Sequence, residues 1–201
     1  MKLTSVQKIL WALVGVAAVM VMALQVRGTD PTETAAPQDP SFQAVFELTD
    51  HTGMVRTQVD FAGQWMLVFF GFTNCPDVCP TTLSEVAVVM DELGPDAPFV
   101  QPLFISIDPD RDKPQALADF VPQFDAGIIG LTGTPEQIKR TAEDFYIFYE
   151  KVTEAAAPGG YTMGHSSQLF LFGPKGDFLT TYAYGTPAED ILADLTGRLR
   201  E

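Results

Sequence analysis

The sequence predicts an α/β domain in which a central mixed sheet is flanked by helices. Two observations indicate this class: segments typical of strands buried on both faces, and segments of helical character that alternate with strands along the chain. Trp65 to Phe70 is a continuous apolar run, and Phe99 to Ile107 is predicted as a second buried strand. A chain of 201 residues can form one such domain with a substantial core but is short for two.

The first half of the domain is predicted as a hairpin followed by two strand and helix units. The elements are, in order, strands over 42–48, 54–59 and 65–70, a helix over 82–93, a strand over 99–107 and a helix over 114–121. Partial alternation and the turn sequence Asp50-His51-Thr52-Gly53 indicate the hairpin. In the helix over 82–93, apolar residues recur at helical spacing and Gly94 closes the element.

The second half is predicted to end in a hairpin and a helix. Its elements are, in order, a strand over 128–131, a helix from Pro135 to about Phe148, a loop over 155–160, strands over 168–172 and 178–182, and a helix ending near Arg198. Both helices of this half begin with a capping pattern, in which a threonine is followed by proline and, three residues after the threonine, by Gln or Glu. The two threonines are Thr134 and Thr186. This order of elements is that of a thioredoxin-like fold.

The N-terminal segment is predicted to anchor the domain in a membrane. Residues 9–26 form an uncharged, largely apolar run of 18 residues, which reaches the length of a spanning helix. The chain therefore divides into a cytoplasmic end, 1–8, an anchor, 9–26, a Pro-rich tether, 27–41, and the domain, 42–201. Lysines precede the run, so the domain is placed outside the cytoplasmic membrane, in the periplasm of a Gram-negative cell. A cleaved signal peptide is the alternative, and it exports the domain as well.

The charge of the chain argues against nucleic-acid binding. Twelve Lys and Arg residues stand against 26 Asp and Glu, giving a formal net charge of −14. A protein with this excess of carboxylates repels a phosphate backbone. We therefore expect no nucleic-acid partner.

Both cysteines of the chain lie between a predicted buried strand and a helix. Cys75 and Cys79 are four residues apart, which is about one helical turn, so both sulfurs can face the same way. A helix N-terminus favours the thiolate form. The pair is either a redox couple or half of a site for a soft metal. A purely structural disulfide is a weaker alternative, because closing so short a loop stabilises a domain little.

Two histidines are available as a further ligand. His51 lies in the predicted hairpin turn, where a solvent-exposed role is favoured. His165 lies just before a buried strand, and in a thioredoxin-like sheet the loop preceding that strand faces the cysteine loop. A copper centre that also accommodates Cu(II) usually includes an imidazole. His165 is therefore a candidate ligand, the alternative being a loop histidine hydrogen-bonded to the backbone.

Four strings in this order resemble the Sco/SenC family of copper proteins: GFTNCPDVCPTTL, FISIDPDRDKP, IIGLTGTPEQI and GHSSQLFLFGPKGDFL. The resemblance implies a thioredoxin-like fold and one copper ion, as Cu(I) or Cu(II), bound by Cys75, Cys79 and His165. It also implies a role in delivering copper to, or reducing the thiols of, the binuclear copper site of cytochrome c oxidase. The expected partners are the copper-site subunit, other copper chaperones or thioredoxin-like reductants.

The resemblance also singles out Asp108 as an acidic residue near the metal, whereas the residues alone favour a helix cap or a turn former before Pro109. Two positions depart from the family strings: Asn74 replaces a common histidine, and Gly164 replaces an aspartate that usually precedes the histidine ligand. Without that aspartate, Thr73 and Asp77 are the loop polar groups left as candidates to orient the ligands.

Two other function classes remain open from the sequence. With the same fold, Cys75 and Cys79 suit the redox-active pair of a thiol–disulfide oxidoreductase or a peroxidase. Thioredoxin-type enzymes space their cysteines by two residues, however, and the pattern around a peroxidatic cysteine is absent from the sequence. A redox or copper sensor that signals to a membrane partner is the third class.

Overall fold

The computed structural model describes residues 42–200, which form nine strands and four α-helices. The strands are β1 (Glu47–Asp50), β2 (Val55–Thr57), β3 (Trp65–Gly71), β4 (Val100–Ser106), β5 (Ile129–Thr132), β6 (Tyr149–Thr153), β7 (Tyr161–His165), β8 (Leu169–Phe172) and β9 (Phe178–Tyr182). The helices are α1 (Val78–Leu93), α2 (Pro114–Phe120), α3 (Pro135–Asp144) and α4 (Ala188–Leu199). The α/β class predicted from the sequence is confirmed.

Seven of these strands form one mixed sheet in the order β2-β1-β5-β4-β3-β8-β9. Strand β3 runs parallel to β4 and antiparallel to β8, so that Phe69 lies opposite Phe104 and Val68 opposite Phe170. The two segments predicted as buried strands are therefore the two central strands, β3 and β4. This arrangement confirms the thioredoxin-like mixed sheet. Because β3 is an interior strand, the cysteines that follow it lie beyond the carboxyl end of a strand near the middle of the sheet.

An aromatic cluster packs the end of α3 against the sheet. The ring of Phe145, which is fully buried, lies with its centroid 5.1 Å from that of Phe70 and 5.4 Å from that of Phe172. Phe42 joins the same cluster at 6.0 Å from Phe145. Edge-on aromatic pairs of this kind add to the free energy gained by apolar burial. The cluster thus fixes the chain just before β6, the strand that pairs with β7, and β7 carries the candidate ligand His165.

The two predicted helix caps have different outcomes. At α3 the capping box is confirmed, because the Gln137 amide donates to Thr134 Oγ1 at 3.2 Å and the Thr134 amide donates to Gln137 Oε1 at 2.9 Å. At α4 the predicted cap is wrong, since Thr186 Oγ1 donates to the carbonyl of Ala183 instead. Glu85 of α1 replaces it by accepting a hydrogen bond from the Ala188 amide at 3.0 Å.

The prediction of a helix reaching about Phe148 is wrong. Helix α3 ends at Asp144, and Tyr146 has a left-handed backbone with φ of 56°. Beyond it the chain alternates, with Ile147 buried and Phe148 exposed, which is the period of a strand. The residues that follow form β6, which pairs with β7 in a separate two-stranded sheet. The predicted loop 155–160 is therefore the connection of an unpredicted β6–β7 hairpin.

The predicted membrane anchor, 9–26, and the tether lie outside the described residues. Among residues 42–200, no helix has the length and apolar character needed to cross a membrane.

Candidate metal centre

The cysteine loop, residues 72–79, connects the buried end of β3 to helix α1. The helix begins at Val78, one turn earlier than the predicted start at Thr82, so Cys79 lies in its first turn and Cys75 just before it. The Cys79 amide donates a hydrogen bond to Cys75 Sγ at 3.4 Å. Because amides at a helix N-terminus lack partners within the helix, a thiolate at Cys75 satisfies one of them. The four-residue spacing does bring the two sulfurs together.

Gly71, the last residue of β3, leaves room for the Cys79 thiol. A Cβ atom at position 71 would lie 2.7 Å from Cys79 Sγ and 2.8 Å from Cε2 of Phe104, closer than real contacts allow. Cys79 is fully buried, whereas Cys75 is half-buried. The strand end therefore seats one sulfur in the core and leaves the other toward the surface.

His165 lies at the end of β7 with its imidazole toward the cysteines. Its Nε2 is 3.8 Å from Cys79 Sγ, and one ligand atom from each of Cys75, Cys79 and His165 lies within 4.8 Å of the other two. The rings of Phe69 and Phe72 contact the imidazole edge-on, with centroids 6.2 Å and 6.0 Å away. The three residues that the sequence singled out are brought together.

A backbone carbonyl sets the orientation of the imidazole. His165 Nδ1 lies 2.7 Å from the carbonyl oxygen of Ser166, which can only accept a hydrogen bond. The proton is thus on Nδ1, and the lone pair of Nε2 faces the thiols, as metal binding requires. Neither residue suggested from the sequence does this, since Thr73 bonds Asp112 and Asp77 accepts from Thr81.

The two remaining candidates lie apart from the ligand cluster. His51 is half-buried rather than solvent-exposed, because its Nδ1 accepts a hydrogen bond from the Gly130 amide at 3.2 Å. Asp108 is only 1% exposed, and its carboxylate is bound by Arg111 in an ion pair and by the Tyr161 hydroxyl at 2.9 Å. Asp108 does begin a turn, since its carbonyl accepts from the Asp112 amide. The buried ion pair was not predicted.

The environments of the two thiols push their pKa values apart. The hydrogen bond from the Cys79 side chain, opposed by burial and aided by backbone amides, lowers the pKa of Cys75 to about 4. The pKa of Cys79 is raised well above its ordinary value by the same hydrogen bond, by burial and by the charge of Cys75. At neutral pH the metal-free site therefore holds one thiolate, Cys75, and one thiol, Cys79.

We expect Cys75 of the metal-free protein to react with iodoacetamide at a rate independent of pH between about pH 8 and pH 5, because the thiolate is the nucleophile. An ordinary thiol slows about tenfold for each unit of pH below its pKa. The measurement is peptide mapping after timed alkylation, in which Cys79 should remain unmodified. A Cys75 rate that climbs steadily up to about pH 9 would contradict the assignment.

An open cavity of about 270 Å³ leads from the surface to this centre. Cys75 and His165 line it together with Pro76, Val78 and Met163, whereas Cys79 is fully buried and does not line it. A partner can thus reach one sulfur and the imidazole directly.

The sequence model of one protein family, described as SCO1/SenC, matches residues 34–200. The human mitochondrial protein SCO1 homolog is 37% identical over 169 residues, which cover 80% of this chain and 54% of the human one. The chain spans roughly half to two thirds of the length of this and the next curated relatives.

Solved structures give the same relationship. Copper-bound ScoI from Bradyrhizobium japonicum is 35% identical, with a TM-score of 0.72 over 78% of this chain and 99% of that one. BsSco, described as a member of the Sco family of cytochrome c oxidase assembly proteins with a disulfide switch, is 27% identical, with a TM-score of 0.60 over 79% and 94% of the two chains. From the extent of these matches and the shared fold, the chain belongs to the SCO1/SenC family.

Proposed function

We propose that this protein binds one copper ion through Cys75 Sγ, Cys79 Sγ and His165 Nε2, and that it is a copper chaperone for cytochrome c oxidase assembly. The convergence of these three ligand atoms within 4.8 Å carries the proposal. Thiolate sulfur and imidazole nitrogen suit copper, whereas magnesium and calcium prefer oxygen ligands. Copper in the related ScoI supports the same choice.

The ligands have different roles in holding this cargo. Two thiolates can bind Cu(I) without help, while Cu(II) needs the imidazole as well. The metal displaces the proton of Cys79, so loading releases a proton and is favoured as pH rises. Since Cys75 and His165 line the open cavity, these two ligands are the ones that an incoming copper site can replace first.

The proposed receiver is the copper-site subunit of cytochrome c oxidase, with other copper chaperones or thioredoxin-like reductants acting before transfer. The description of the related BsSco as an oxidase assembly protein supports this partner. Residues 9–26 are proposed to anchor the domain at the periplasmic face of the cytoplasmic membrane, with 27–41 as the tether. An anchored donor diffuses in the same plane as its target, which raises its effective concentration there.

Thiol–disulfide reduction is a second proposed activity, favoured by the unequal pKa values of the cysteines. The Cys75 thiolate attacks a partner disulfide and forms a mixed disulfide while one partner thiolate leaves. Cys79 gives its proton to the thiolate that has left, then attacks Cys75 Sγ and releases the second partner thiolate. The partner disulfide gains two electrons, and the two cysteines lose two in forming a Cys75–Cys79 disulfide. The disulfide switch of BsSco supports such a reaction.

The two activities exclude each other at any moment, because a disulfide offers no thiolate to a metal. We therefore expect the full-length reduced chain in detergent to bind about one copper ion and the oxidised chain to bind almost none. Metal analysis after desalting, with free thiols counted in parallel, makes the comparison. Re-reduction of the oxidised sample should restore loading. Absence of copper from the reduced chain, or equal copper in both forms, would refute the proposal.

A further inference from the structure

The two halves of the metal centre lie on elements that the main sheet does not join. The cysteine loop follows β3, a central strand of the seven-stranded sheet, whereas His165 belongs to the separate β6–β7 hairpin. No strand of the large sheet pairs with β6 or β7 in the described part of the chain. Residues 166–168 join His165 to β8, which pairs with β3, so the backbone holds only the end of β7 that carries His165. The rest of the β6–β7 hairpin is positioned by side-chain contacts.

One segment, the β4–α2 loop of residues 107–113, contacts both halves. On the cysteine side, the buried carboxylate of Asp112 accepts hydrogen bonds from the Thr73 amide at 2.9 Å and from Thr73 Oγ1 at 2.5 Å. The hydroxyl of Ser106 donates to the same carboxylate at 2.6 Å. Asp112 thus fastens the cysteine loop to the end of β4.

On the histidine side, Arg111 holds the hairpin by several contacts at once. Its Nη1 donates to the carbonyl oxygens of Pro158 at 2.7 Å and Tyr161 at 3.0 Å. Its guanidinium lies 3.8 Å from the centroid of the Tyr161 ring. Asp108 pairs with Arg111 Nε and accepts from the Tyr161 hydroxyl. Tyr161 is the first residue of β7 and His165 the last, so these contacts fix the strand that carries the imidazole.

We propose that the β4–α2 loop is a bracket that sets the distance between His165 and the two cysteines, with Arg111 as the positioning residue. The inference rests on the proposed ligand set. A planar guanidinium with several fixed donors suits this task, because it orders two carbonyls and a ring at a low entropic cost. Loosening the hairpin withdraws the imidazole and leaves the thiolates in place. The bracket therefore controls how well the site holds Cu(II) relative to Cu(I).

The test replaces Arg111 in the full-length chain and measures both oxidation states by competition with chelators. For Arg111→Gln we expect the Cu(II) affinity to fall about tenfold or more and the Cu(I) affinity to change by less than about threefold, the scale of a lost supporting group. Hydrogen exchange of the metal-free protein should be faster over residues 149–165. Tyr161→Phe removes one hydroxyl and keeps the ring, so it should lower the ratio of the Cu(II) affinity to the Cu(I) affinity by a smaller factor than Arg111→Gln does.

Arg56→Gln is the matched control. Arg56 pairs with Asp50 in the β1–β2 hairpin, and this carboxylate is as buried as that of Asp108, although the Arg56 side chain is more exposed than that of Arg111. Its loss therefore costs stability without touching the metal centre. The bracket proposal would be overturned if Arg111→Gln lowered the Cu(I) and Cu(II) affinities equally. It would also be overturned if neither Arg111→Gln nor Tyr161→Phe changed the ratio of the two affinities. His165→Ala in the same assay separates the two proposals. If it too leaves Cu(II) binding intact, the ligand set itself is wrong.

Discussion

Replacement of Cys75 or Cys79 by serine is expected to abolish tight copper binding by the reduced protein. A serine hydroxyl is not ionised at neutral pH and is a hard, weak donor, so it cannot replace a thiolate. Each variant leaves one sulfur and one imidazole. Loss of a group that only supports a ligand lowers metal affinity by up to about 100-fold. Because each cysteine is a direct ligand, the Cu(I) affinity should fall by more than that. A competition titration with a Cu(I) chelator under reducing conditions measures the loss.

Cys79→Ala provides the control for the fully buried cysteine. A serine at this position places a hydroxyl beside Gly71 and Phe104, which destabilises the protein for reasons unrelated to copper. Alanine removes the ligand without adding a polar group. Both variants should lose copper equally while differing in thermal unfolding. One copper ion retained by either single variant, at chelator concentrations that leave the original protein loaded, would exclude that cysteine as a ligand.

The sequence was informative where the signal is local. The run of β3 is apolar on both faces and that of β4 is largely so, which predicted two buried strands. The spacing of Cys75 and Cys79 after such a strand predicted their proximity, because a helix start closes that distance. The prediction of His165 as a ligand depended on the thioredoxin-like topology, which places its segment opposite the cysteine loop. These inferences agree with the structure.

The β6–β7 hairpin could not be recognised in the same way. Its first strand, Tyr149–Thr153, has no fully buried residue, and it follows the apolar segment 145–148, which fits a helix or a strand. Only the pairing of Tyr149 with His165 and of Thr153 with Tyr161 defines the element. Such pairing depends on a second segment about 8 to 16 residues away along the chain, which the local pattern does not encode.

The bracket was also hidden, although Asp108 was noticed as a helix cap or turn former before Pro109. Asp112 binds Thr73, 39 residues away, and Arg111 binds the carbonyl of Tyr161, 50 residues away. A carboxylate or guanidinium in a turn gives no sign of such distant partners. The group that orients His165 leaves even less trace, because the Ser166 carbonyl belongs to the backbone and every residue has one.

His165→Ala is expected to weaken Cu(II) binding much more than Cu(I) binding. The imidazole is the single nitrogen ligand in the cluster formed by the described residues, and its Nε2 lone pair already faces the thiols. Cu(II) loses that nitrogen, whereas two thiolates still hold Cu(I). The Cu(II) affinity should fall by more than about 100-fold, as for removal of a direct ligand, and the Cu(I) affinity by about tenfold or less. Electron paramagnetic resonance of the Cu(II) form should also lose its nitrogen coupling.

His51→Ala is the matched control for this experiment, since it removes the other histidine of the chain. His51 accepts a hydrogen bond from the Gly130 amide between β1 and β5, so its loss should cost about 1 kcal/mol of stability and leave both copper affinities unchanged. A nitrogen coupling that survives in His165→Ala but disappears in His51→Ala would show that His51, and not His165, supplies the imidazole ligand. Equal losses of Cu(I) and Cu(II) in His165→Ala would instead show that the imidazole supports both oxidation states, and control of Cu(II) binding by the bracket would then have no basis.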